Sequence, residues 1–101
     1  MKKLVLGAIM AALMSTAAHA ENIGVSMALF DDNFLTVLRN GMSDYVKTLD
    51  GVELQIEDAQ NDVAKQLDQI NNFIASGVDA IIVNPVDTSA TEAMTKAAEA
   101  A

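Results

Sequence analysis

The sequence predicts an α/β fold in which parallel strands alternate with helices as β-α repeats. Three observations support this class. Aliphatic runs begin near residues 23, 52 and 80, and a step of about thirty residues is the size of one right-handed β-α crossover unit. Between these runs, apolar residues recur at three- and four-residue steps, as in amphipathic helices. The run at residues 80–83 is entirely aliphatic, which is typical of a parallel strand covered on both faces.

The first twenty residues have the pattern of an export signal. Lys2 and Lys3 precede an apolar run at residues 4–14, and Ala-His-Ala at 18–20 is a small-x-small cleavage site. A retained membrane anchor is the alternative, but the run is shorter than the roughly 20 residues that a spanning helix needs. No cysteine follows it for lipid attachment. We therefore expect a mature chain that begins at Glu21, lies outside the cytoplasm and is not membrane-embedded.

The first repeat is predicted to consist of a strand at residues 23–28, a polar turn at 30–33 and a helix that ends near residue 50. Asp32 or Asn33 can cap this helix. Its apolar face is predicted to consist of Leu35, Leu38, Met42, Tyr45 and Val46, at three- and four-residue steps. We expect Tyr45 to lie in the core.

The second and third repeats follow the same plan. A strand at residues 52–56 leads through a polar turn to a helix whose apolar face comprises Val63, Leu67, Ile70 and Ile74. Gly77 is placed to end that helix in the left-handed conformation. After the strand at 80–83, Ser89 and Glu92 are spaced as a capping box for a last helix at 90–101. This helix shows no stop signal, so we expect the chain to be cut short.

Composition limits the function. Residues 21–101 carry four basic and fourteen acidic side chains, a formal charge of −10, and such an acidic body repels nucleic acid and anionic membranes. The same residues contain no Cys, His or Trp. This excludes thiol redox chemistry, histidine relays and the usual zinc sites, and no cofactor or metal is expected. An enzyme would depend on carboxylates and hydroxyls alone.

Ligands of open parallel sheets bind beyond the carboxyl ends of the strands, here the loops at residues 30–33, 58–62 and 84–87. All three are rich in Asp, Asn and Gln, which exchange hydrogen bonds with hydroxyl groups. None is rich in glycine, so no phosphate cradle is predicted. The chemistry of these loops favours a polyol ligand.

The sharpest candidates are Asp32 and Phe34. A carboxylate accepts hydrogen bonds from paired hydroxyls, and an aromatic ring packs on the C–H face of a pyranose or an inositol. The competing interpretation is that Asp32 only caps a helix and that Phe34 only packs in the core. Phe30 either lines the cleft or covers the sheet edge, and Asp31 is interpreted as a solvated neighbour.

Several motifs together resemble the periplasmic sugar-binding proteins of the ribose and galactose type, most closely the galactose/glucose-binding branch. The similarity covers the mature segment, and its motifs are IGVS at 23–26, FDDNF at 30–34, DAQND at 58–62, GVDA at 77–80 and NPVD at 84–87. The resemblance implies a signal peptide at 1–20 and, at 21–101, part of the N-terminal lobe of a two-lobe, type I binding protein.

In that family, two lobes close on one sugar, which passes to an ABC transporter permease and in some members is reported to a chemoreceptor. By resemblance, Asp32 is the carboxylate that accepts from sugar hydroxyls and Phe34 is the stacking ring, while Asp58 and Asn84 build loops at the cleft edge. Ala28 stands where the galactose/glucose branch tends to have an aromatic residue. Galactose, glucose, ribose or inositol types of ligand therefore all stay open.

Two other classes of protein have partly similar sequence features. A receiver-like domain would hold Mg²⁺ with acidic residues after the first strand, but its third strand should end in Asp where this chain has Asn84. An exported glycosidase that uses only carboxylates needs two opposed carboxylates about 5 to 10 Å apart. Asp31 and Asp32 are adjacent and are expected to point apart. We therefore expect a binding protein and not an enzyme.

Overall fold

A computed structural model describes residues 20–101 as a three-stranded parallel sheet with helices on its faces. The strands are β1 (Glu21–Met27), β2 (Val52–Asp58) and β3 (Ala80–Val83). Their order in the sheet is β2-β1-β3, and both pairings are parallel. The predicted α/β class is confirmed. The predicted export signal falls almost wholly at residues 1–19, outside the described residues.

Three helices follow the strands in turn. They are α1 (Asn33–Val46), α2 (Val63–Ser76) and α3 (Thr91–Glu99), the last entered through a 3-10 turn at Thr88–Ala90. Among residues 20–101 we find no helix with the length and apolar character required to cross a membrane.

The helix ends are set by polar caps and by glycine. The Asp32 side chain accepts a hydrogen bond from the backbone N–H of Leu35, 3.0 Å away, and so begins α1. Asp62 caps α2 in the same way, through the N–H of Lys65. Gly77 ends α2 with φ 75°, in the left-handed region where glycine has no steric penalty. The predicted Asp32 cap and Gly77 stop are confirmed.

The predicted capping box of Ser89 and Glu92 is wrong. Asp87 caps this segment instead, because its carboxylate accepts from both the backbone N–H and the hydroxyl of Ser89. Both bonds hold the pKa of the Asp87 carboxyl below its ordinary value, and the bond from the backbone N–H of Ser89 has the larger effect. Glu92 forms an ion pair with Lys96 one turn further along α3.

Several predicted boundaries also differ from the structure. β1 runs over residues 21–27 instead of 23–28, and β2 continues to residue 58 because it stays paired with β1 up to Met27. α1 ends at residue 46, before the predicted 50, since the amides of Thr48 and Leu49 turn back onto its last carbonyls. The last helix spans residues 91–99 instead of 90–101.

Tyr45 was predicted to lie in the core, but its side chain is 64% exposed. It lines a shallow apolar hollow together with Met42, Ile23 and Ile82. The helix α1 contacts β2 and leaves Ile82 of β3 exposed on the same side of the sheet, so Tyr45 borders an open hollow instead of a packed core. The apolar face of α1 is therefore wider than the surface it buries.

The core consists of two clusters on opposite faces of β1. Val25 and Met27 pack with Leu35 of α1 on one face. On the other face, Ile70 and Phe73 of α2 pack with Met94 of α3. Successive side chains of a strand alternate between faces, so Gly24 lies on the α2 side. A Cβ placed there would come within 2.5 to 2.7 Å of the Phe73 ring.

We expect Gly24→Ala to lower the free energy of unfolding by about 1 to 3 kcal/mol, because the buried Phe73 ring has no room to move away from an added methyl group. Gly41→Ala is the matched control, since Gly41 lies in α1 with nothing within 4 Å of its added Cβ. That change should stabilise by about 0.5 to 1 kcal/mol. Urea denaturation of both variants measures the difference, and equal stability of the two would contradict the close contact at Gly24.

Candidate functional site

The three polar loops gather at the carboxyl edge of the sheet. Because the strand order is β2-β1-β3, the loop after β1 lies in the middle, with the loops after β2 and β3 on its two sides. This edge is where open α/β sheets bind their ligands. The geometry of the candidate site therefore depends on how the middle loop, residues 28–32, is held.

A buried polar cluster lies beneath these loops and consists of Ser26, Gln66 and Gln69, which we call the glutamine cluster. The Ser26 hydroxyl donates to Gln69 Oε1 at 2.7 Å and accepts from Gln66 Nε2 at 3.1 Å. Ser26 and Gln66 are completely buried and Gln69 is 7% exposed. Within residues 20–101, every buried side-chain nitrogen or oxygen has a hydrogen-bond partner, as native interiors require.

The glutamine cluster also binds the ends of the two outer strands. Gln66 donates to the carbonyl of Asn84 at 2.9 Å and accepts from the N–H of Val86 at 2.9 Å. Gln69 donates to the carbonyl of Asp58 at 2.8 Å. With Ser26 on β1, the cluster therefore fixes all three strand ends relative to α2.

The predicted apolar face of α2 is confirmed in part, because Ile70 is buried in the core and Leu67 and Ile74 pack against it. The buried residues of α2 are Gln66, Gln69, Ile70 and Phe73, whereas Val63, Leu67 and Ile74 are half-buried. The spacing of the buried set is that of one helical face. The sequence analysis assigned no core position to Gln66 or Gln69, although their three-residue spacing beside Ile70 was a usable signal.

The middle loop is anchored by side chains from both neighbouring strands. Asn84 Oδ1 accepts from the N–H of Ala28 at 3.1 Å, and Asp58 Oδ1 accepts from the N–H of Phe30 at 3.2 Å. The Thr36 hydroxyl donates to the carbonyl of Phe30 at 2.7 Å. Asp58 and Asn84 thus build loops, in agreement with their interpretation from the sequence.

Asp32 lies exposed at the end of this loop. One carboxylate oxygen accepts from the N–H of Leu35, and within residues 20–101 the second oxygen forms no hydrogen bond. The helix cap uses one oxygen of Asp32 and leaves the other available, so the capping role does not exclude a ligand contact. Asp31 is exposed beside it.

The two phenylalanines have different environments. Phe34 is 72% exposed in the first turn of α1, so the interpretation that it packs in the core is wrong. Phe30 is half-buried against the cluster of Val25 and its neighbours. The guanidinium carbon of Arg39 lies 3.9 Å from the centroid of the Phe30 ring, a distance at which the cation is attracted to the ring face.

The exposed groups of this edge are suited to hydrogen bonding and stacking. Asp32 offers a carboxylate oxygen and Phe34 an open ring, and Phe30 supports the loop that carries them. Among residues 20–101, no group of three His, Cys, Asp or Glu side chains is arranged to hold a metal ion. The arrangement can accept hydrogen bonds from hydroxyl groups and cover an apolar ligand face.

We expect Gln66→Met to lower the free energy of unfolding by at least about 1 to 3 kcal/mol, since it leaves buried groups of Ser26, Asn84 and Val86 without their partner. Asn71→Met on the exposed side of α2 is the matched control, and it should leave stability almost unchanged. Urea denaturation measures both. A Gln66→Met variant as stable as the control would show that the cluster does not hold the strand ends.

Comparisons with known proteins identify the family of this chain. The family model described as a periplasmic binding protein domain matches residues 23–101. A Rhizobium meliloti protein named for rhizopine binding is 71% identical over 98 residues, which cover 97% of this chain and 32% of that protein. The D-galactose/methyl-galactoside binding periplasmic protein of Haemophilus influenzae is 35% identical over 77 residues, which cover 75% of this chain and 23% of that protein.

A solved structure shows the same fold. The solute binding protein of an ABC transporter from Bacillus halodurans, with bound myo-inositol, has a TM-score of 0.78 and 36% identity, covering 85% of this chain and 30% of that chain. The present chain spans between about a quarter and a third of these three relatives. It belongs to the periplasmic binding protein family, of the ribose and galactose type, and its described residues form part of the N-terminal lobe of the type I fold.

Proposed function

We propose that this chain forms one wall of the binding cleft in the substrate-binding component of an ABC importer for a monosaccharide or cyclic polyol. The observation that carries the proposal is the pairing of a free Asp32 carboxylate oxygen with an exposed Phe34 ring, at the centre of the carboxyl edge. Its role is to bind a ligand and not to transform it.

The chemistry of the pair matches the two surfaces of a cyclic polyol. Hydroxyl groups on the rim of the ligand donate to the carboxylate, and hydrogen bonds to an ionised acceptor are stronger than neutral ones. The C–H face of the ligand packs on the ring, which removes apolar surface from water. A ligand that lacks either surface would lose one of the two contacts.

The relatives support a polyol and favour a six-membered ring. One is named for rhizopine binding, one for D-galactose and methyl-galactosides, and one was solved with myo-inositol. Ala28, the first residue of the middle loop, contributes only a methyl group. We propose an inositol-type or pyranose ligand.

The mechanism that we propose is capture between two lobes, of which this chain supplies part of one. The ligand stabilises the closed arrangement because it contacts both walls only in that state. The closed protein then delivers the ligand to the transporter permease. The proposal includes cleavage of the signal at residues 1–20 and a periplasmic location, and it includes no chemoreceptor, which these relatives do not support.

We expect Asp32→Ser to weaken polyol binding by about 10- to 100-fold, because it removes a hydrogen bond to a charged acceptor. Serine caps a helix about as well as aspartate, so α1 should stay intact. Phe34→Ala should weaken binding by about tenfold through lost stacking. The measurement is titration calorimetry of the protein from its complete reading frame with myo-inositol, D-galactose, D-glucose and D-ribose.

Two variants serve as controls. Asp31→Ser changes a neighbouring exposed carboxylate and Phe34→Tyr keeps the ring, so both should bind as the wild type does. If no polyol binds the wild type, or if Asp32→Ser and Phe34→Ala both bind with unchanged affinity, the proposed function is wrong.

A further inference from the structure

We propose that Asp58 and Asn84 are positioning residues of the polyol site, which set its affinity by holding the middle loop without contact to the ligand. The inference rests on the proposed function, because it assigns a role to two residues behind the Asp32 and Phe34 wall. The two residues are called the loop anchors below.

The middle loop begins where the sheet ends, so its backbone needs other partners. The pairing of β1 with β2 ends at Met27 and that with β3 ends at Ser26. The next amides would then lack strand partners, and a buried unpaired N–H is costly. The loop anchors supply the missing acceptors: Asn84 accepts from the N–H of Ala28, and Asp58 accepts from the N–H of Phe30.

The anchors are themselves fixed in place. The carbonyl of Asp58 accepts from Gln69, and the carbonyl of Asn84 accepts from Gln66. Each anchor is therefore held at its backbone by the glutamine cluster and reaches the loop with its side chain. Asp58 Oδ1 also accepts from the N–H of Gln60 at 2.9 Å, which further restricts its rotamer.

The geometry separates positioning from ligand contact. The acceptor oxygen of each anchor is directed at a loop amide, whereas Asp32 at the end of the loop and Phe34 in the first turn of α1 are exposed. Only a loop held in the right shape presents both groups together. When a fraction of molecules lose that shape, the apparent dissociation constant rises by the inverse of the fraction that remains competent.

The test compares variants that lack the side-chain acceptor oxygen of a loop anchor with variants that keep it. Asp58→Ala and Asn84→Ala should each weaken myo-inositol or D-galactose binding by about tenfold, as expected when one part-buried hydrogen bond no longer selects the competent loop. Asp58→Asn and Asn84→Asp keep an acceptor oxygen at the same place and should restore most of the affinity. Binding is measured by calorimetry on the protein from its complete reading frame, at a temperature where circular dichroism shows each variant folded.

Amide hydrogen exchange gives a second readout that does not need a ligand. The amides of Phe30 in Asp58→Ala and of Ala28 in Asn84→Ala should exchange faster than in the wild type, and the acceptor-retaining variants should restore protection. If Asp58→Ala does not fold, Asn84→Ala tests the same inference from the other side of the loop.

Three results would overturn the inference. Folded alanine variants with wild-type affinity would show that the anchors serve stability alone. Asp58→Asn as weak as Asp58→Ala would show that the carboxylate charge acts directly on the ligand. Unchanged amide exchange would show that the loop is held by other groups. If the wild type binds no polyol, the proposed function fails as well, and the exchange data still report whether the anchors hold the loop.

Discussion

The buried bonds among Ser26, Gln66 and Gln69 are the constraint on which the rest of this structure depends. A buried amide or hydroxyl without a partner costs as much as a lost hydrogen bond, so these three side chains allow few arrangements of the strands around them. Ser26 lies on the central strand, and the two glutamines reach the ends of its neighbours. The carboxyl edge of the sheet is therefore fixed by directional bonds as well as by apolar packing.

Close packing of α2 on β1 makes these bonds possible. Gly24 and Ser26 lie on the same face of β1, and Phe73 packs directly on Gly24 because no side chain intervenes. With the helix this close, the glutamines one and two turns earlier reach Ser26. A larger residue at position 24 would raise the helix and stretch the bonds at position 26. Stability and site geometry are thus coupled through positions 24 and 26, two neighbours on one face of β1.

Much of the fold could be predicted from the sequence, because its periodic signals are local. The β-α repeats, the cap at Asp32 and the stop at Gly77 each follow from residue types at fixed spacing. Tertiary contacts decided the rest. The inward glutamines of α2 could not be ranked above its apolar residues without knowing that Ser26 would face them. Tyr45 is exposed because α1 packs on β2 and leaves β3 uncovered beside it. The candidate pair, Asp32 and Phe34, could be named from the chemistry of polyols, but the two free surfaces they offer became visible only in the structure.

A crystal structure of the protein from its complete reading frame, grown with myo-inositol, tests the account most directly. The account predicts that the free oxygen of Asp32 lies within hydrogen-bond distance of a ligand hydroxyl, about 2.5 to 3.0 Å, and that the Phe34 ring covers a C–H face of the ligand. The bond from the N–H of Leu35 to the other oxygen of Asp32 should persist. A ligand bound away from both side chains would contradict the account.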